Sequence, residues 1–76
     1  MTKQVKDYAN KMQKYVVEYL IDEYNIDDFN ASKMVQQSSF NKLLEDNPEY
    51  VMHFNVEYWG DRVKSEYDKI RQYAYA

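Results

Sequence analysis

Between Val5 and Tyr24 the apolar residues keep to one helical repeat. Val5, Tyr8, Ala9, Met12, Tyr15, Val16, Tyr19 and Leu20 recur three or four positions apart, the spacing of one face of an amphipathic helix. Val17, Ile21 and Tyr24 widen the stripe, so this helix is expected to touch two neighbours. Lys3, Asp7, Asn10, Lys11, Lys14, Glu18 and Asp22 make its polar face, with Thr2 as a capping residue. No two-residue alternation competes anywhere in the chain, so the fold class is all-α. The rest of the chain must then cover this stripe.

Tyr24-Asn25-Ile26-Asp27-Asp28 breaks the pattern. Asn25 suits a left-handed position after a helix. Asp28 suits the cap of the next helix, with Asp27 or Asn30 as competitors. From Phe29 to Glu45 two stripes are out of phase: Ala31, Met34, Val35 and Ser38, then Phe40, Leu43 and Leu44. The region reads as two short helices, about 29–37 and 39–46, or as one helix kinked at Ser38-Ser39. Asn47-Pro48-Glu49 begins a third region, since Asn caps, Pro suits the first helical position and Glu favours the positive end of the helix dipole. Met52, Val56, Trp59, Val63, Tyr67, Ile70 and Ala74 continue it at helical spacing. Gly60 inside that stripe marks a close helix crossing, or else the helix breaks near Asn55.

Seventy-six residues make one domain, residues 1–76. Three helical regions with short connections predict an up-down-up bundle, its middle helix either split or kinked at Ser38-Ser39. A core of this size leaves a narrow stability margin, which favours self-association or a bound partner. The chain has no cysteine, apolar run of membrane-spanning length or signal-peptide core. A cytoplasmic location is expected.

The net charge of −3 conceals a division. Residues 1–14 hold four Lys and one Asp. Residues 15–61 hold two Lys and ten acids, and residues 62–76 hold four bases and two acids. In an up-down-up bundle the acidic end of the first helix lies beside the basic part of the third. The basic start of the first then lies beside Glu45, Asp46 and Glu49. Opposite charges are expected to meet at both ends.

No residue set supports catalysis, a cofactor or a small-molecule substrate, so the chain is not expected to be an enzyme. Asp22, Glu23, Asp27 and Asp28 lack the spacing and central glycine of a calcium loop. His53 is the single histidine, and without cysteine it builds neither a zinc site nor a thiol nucleophile. Ser32, Ser38, Ser39 and Ser65 have no base beside an oxyanion-hole motif. Ala31, Met34, Ser38-Ser39, Phe40 and Leu44 loosely resemble a helix-turn-helix, but the spacing is one short and Asn41–Asp46 carries one base against two acids. Nucleic-acid binding is better placed on Arg62, Lys64, Lys69 and Arg71, a surface diluted by Glu66 and Asp68.

The nine tyrosines carry the remaining signal. Tyr50, Phe54 and Tyr58 run along a second face of the third helical region, beside the stripe that contains Trp59. Tyr, Trp and Phe are enriched at protein interfaces. Tyr50, Phe54, Tyr58 and Trp59 are therefore the candidate interface, with a second copy or another protein as partner. The many tyrosines and the excess of Lys over Arg, eight to two, favour residues with AT-rich codons, and the composition resembles that of short helical proteins of low-GC Gram-positive bacteria and their phages. The expected function is protein–protein interaction, as a homodimer in the first instance. The alternatives are a nucleic-acid-associated regulator using the basic C-terminal helix, and an acidic phage-type inhibitor presenting residues 22–28 and 45–57 to a basic host protein.

Overall fold

The computed structural model describes the backbone of residues 3–75 and the side chains of residues 7–70. Thr2 and the side chains of Val5, Arg71 and Ala74 lie outside these. Among the described residues the protein is all-α, with no strand. The helices are α1 (Lys3–Tyr24), α2 (Asp28–Gln36), α3 (Ser39–Asp46), α4 (Pro48–Val51) and α5 (Val56–Tyr75).

The chain breaks where short polar side chains offer their own hydrogen bonds to the backbone. Asn25 takes a left-handed φ of 54° after α1. Asp27, the competitor, caps α2 in place of Asp28 by accepting from the Asn30 amide at 3.2 Å, and Asp28 becomes the first helical residue. Ser38 caps α3 by accepting from the Asn41 amide at 3.3 Å, and its hydroxyl donates to the Val35 carbonyl at 2.6 Å. The middle region is thus two helices, divided at the serines. Asn47 accepts from the Tyr50 amide at 3.3 Å, with Pro48 at the first helical position of α4.

The third region is not one continuous helix but breaks near Asn55, the alternative that the sequence offered. α4 ends at Val51, and Asn55 accepts from the Tyr58 amide at 2.8 Å, restarting the helix as α5. The break takes Met52 off the buried stripe, leaving it 41% exposed, while Val51 enters the core. At the other end Ile70 is 62% exposed, because α5 runs past the elements that cover Val63.

The core gathers Met12, Val16 and Leu20 of α1, Ala31, Met34 and Val35 of α2, Phe40 and Leu44 of α3, Val51, Trp59 and Val63. α1 packs mainly against α5 and α2, the two neighbours its wide stripe requires, and more lightly against α4. Trp59 lies at the centre. Its indole nitrogen donates to the Val51 carbonyl at 3.0 Å, and its ring meets Phe40 at 5.2 Å between centroids.

Among the described residues no ion pair joins two helices, so the expected meeting of opposite charges at both bundle ends is not seen there; the side chains of Lys3, Lys6 and Arg71 lie outside them. Among the described residues the ion pair is Lys64–Asp68 at 2.6 Å, within α5 itself. The links between helices are instead neutral or singly charged hydrogen bonds: Gln13 to Asn41, Tyr19 and Tyr24 to Asp61, and Ser39 to Glu66. Exposed ion pairs contribute little in water, so apolar contact decides the packing and charge does not. No helix among the described residues is long and apolar enough to cross a membrane.

Candidate protein-binding face

The turn between α4 and α5 sets three aromatic rings side by side. Tyr50 lies in α4, Phe54 in the turn and Tyr58 in the first turn of α5. Phe54 stacks on Tyr58 at 4.4 Å with 19° between planes, and meets Tyr50 edge-on at 5.4 Å. All three rings also pack against Trp59, at 6.3, 5.7 and 4.9 Å for Tyr50, Phe54 and Tyr58. Edge-to-face and offset pairs of this kind are the favoured aromatic geometries, and they hold each ring in place.

Exposure separates the four residues. Tyr50 is 40% and Tyr58 38% exposed, and Phe54 is half-buried. Trp59 is 0% exposed. The structure therefore places Trp59 beneath the face as its support, with Tyr50, Phe54 and Tyr58 as the surface. Arg62, four residues beyond Tyr58, closes the row. Its guanidinium donates to the Tyr58 hydroxyl at 3.2 Å and lies 5.6 Å from the Trp59 ring. The result is a rigid, partly exposed apolar strip with a phenol oxygen and a cation at one end.

The basic residues of α5 do not form one open surface. Arg62 belongs to the aromatic row. Lys64 pairs with Asp68 and lies 5.3 Å from the Tyr24 ring. Lys69 is exposed, and the Arg71 side chain lies outside the described residues. Among the serines, the Ser38 hydroxyl donates to Val35 and the Ser39 hydroxyl to Glu66. Both serve helix ends. His53 is exposed in the turn. No three metal-binding side chains converge among the described residues.

Two polar arrangements escaped the sequence reading. The hydroxyls of Tyr19 and Tyr24 both donate to Asp61 Oδ1, at 2.8 and 2.6 Å. Those hydrogen bonds to Asp61 push Tyr19 up to about 12 and raise Tyr24 above its ordinary value. Glu66 accepts from both the amide and the hydroxyl of Ser39, so a residue of α5 completes the N-terminus of α3. In the sequence Glu66 registers only as a charge diluting a basic tail, and Asp61 only as one acid among many. Neither carries a local signal of its partner.

Comparison of the chain with protein-family models, with curated proteins and with solved structures finds no match.

Proposed function

We propose that this small helical protein acts by binding protein, through the face formed by Tyr50, Phe54 and Tyr58, and that its first partner is a second copy of itself. The observation that carries this reading is the row of three contiguous rings, held by edge-on packing against buried Trp59 yet still partly open to water. A preformed aromatic surface loses little side-chain freedom on association, which is what favours such residues in interface centres. The engagement of Arg62 and Lys64 within the chain favours this reading over nucleic-acid binding, which needs cations free to reach phosphates. The AT-rich-codon composition supports a low-GC Gram-positive host or phage as its setting.

The test is absolute mass by light scattering over a concentration series, at low and at high salt. A dimer insensitive to salt is expected. Tyr50→Ala with Phe54→Ala should shift it to monomer while circular dichroism retains the helical signal. An unchanged mass in that double variant would remove the face from the interface. A monomer at every concentration would remove the homodimer. Salt-sensitive retention of duplex or single-stranded DNA would support the regulator in its place.

A further inference from the structure

A second surface lies away from the aromatic row. Between α2 and α5 runs an open groove of about 720 Å³. Its floor is apolar, from Ile26, Met34, Val63, Tyr67 and the exposed Ile70. Three carboxylates line it, Asp27, Glu66 and Asp68, and the last is paired with Lys64. Asp27 stands at the start of α2, where it accepts from Asn30. Glu66 stands at the start of α3, where it accepts from Ser39. α2 lies between the two caps along the chain, with Asp27 before it and Ser39, which Glu66 holds, three residues after its end.

Among the described residues Asp27 and Glu66 accept only from neutral donors, Asn30 and Ser39. Among the described residues neither forms an ion pair, whereas Lys64 on the same rim is neutralised by Asp68. The hydrogen bonds from Asn30 hold Asp27 below the usual carboxylate range and keep it ionised. An apolar trough between helices, lined by these two carboxylates, has a definite complement. Helix-in-groove recognition supplies the apolar stripe, and exposed carboxylates select cations.

We propose that this groove docks an amphipathic helix of another protein, with apolar residues at i, i+3, i+4 and i+7 and a Lys or Arg flanking the stripe at each end. The proposal stands independently of the aromatic face, since it uses none of those residues.

The test uses the full chain with labelled methyl groups and two synthetic 15-residue helical peptides. Both share the apolar stripe; one carries Lys at the two flanking positions and the other Glu. The Lys peptide should shift the methyl signals of Ile26, Val63 and Ile70, and bind about fivefold more tightly than the Glu peptide, a preference that fades with salt. Asp27→Asn with Glu66→Gln keeps both acceptors in place and should abolish the preference. Ile70→Asp, at an exposed site, should weaken both peptides without loss of helicity. Equal affinity for the two peptides, or methyl shifts confined to Val51, Met52 and Val56 around the aromatic turn, would overturn the assignment. A change in the chain's own mass in the Asn/Gln variant would overturn it in favour of a second copy as occupant.

Discussion

The ring of Tyr19 lies against the α-carbon of Gly60. A Cβ built on Gly60 would fall 2.7 Å from Tyr19 Cε2 and 3.1 Å from Cγ, with Cδ2 nearer still. Gly60 is thus a packing contact between α1 and α5 inside an unbroken helix. The same approach delivers the Tyr19 hydroxyl to the next residue, Asp61.

Gly60→Ala sets two effects against each other. Alanine gains about 1 kcal/mol of helix propensity. Overpacking against a ring held at its hydroxyl end costs roughly 1–3 kcal/mol. The clash is expected to win by about 1 kcal/mol, lowering the melting temperature by about 4–8 °C. A rise in melting temperature on thermal unfolding would contradict the contact.

Trp59→Phe removes the donor to Val51 and leaves a void beside Phe40. The expected loss is about 2 kcal/mol. Tyr58→Phe, which keeps the ring and removes only an exposed hydroxyl, should stay within about 0.5 kcal/mol. Urea unfolding of the two variants distinguishes a core support from a surface ring, and equal effects would contradict the assigned burial.

Alkaline titration tests the shared carboxylate. Protonated Tyr19 and Tyr24 are favoured in the folded state by donating to Asp61, so their folded pKa lies above the unfolded value near 10. The contribution to stability is present below pH 10 and is lost as pH rises through the folded value, about 12 for Tyr19. Phenolate absorbance should show Tyr19 and Tyr24 ionising above pH 10, and Asp61→Ala should return them toward 10. Coincident titration in both proteins would exclude the pair of hydrogen bonds.

Glu66→Ala removes the acceptor for the Ser39 amide and hydroxyl. About 1 kcal/mol is expected, as for loss of a helix cap, with faster amide exchange at Ser39 and Phe40. Glu66→Gln retains an acceptor oxygen and should keep most of the protection. Identical exchange in wild type and the alanine variant would mean that α3 needs no help from α5.

The α1 stripe, the division at Ser38-Ser39 and the start at Asn47-Pro48 were legible because each is local. Asp27, Ser38 and Asn47 cap amides three residues ahead, a range that sequence spacing encodes directly. The break before α5 was harder, since Met52 and Val56 keep helical spacing across it and only the Asn55 side chain competes. The candidate face was read as four residues, of which three lie at the surface. Helical periodicity placed Trp59 on the buried stripe, and aromatic composition drew it into the interface set. Its burial follows from Phe40 and Val51 meeting it across the fold.

By itself, the amino-acid order determined the all-α class and the turns, because periodicity and short-range caps act over a few residues. Only the tertiary structure decided that Tyr19 fits against Gly60, that Asp61 takes two tyrosines, that Glu66 finishes α3 and that a groove remains beside α2. The physical reason is distance along the chain. Those partners are separated by 27 to 42 residues. They meet because the helices bury their common apolar core, and nothing at either site announces the other.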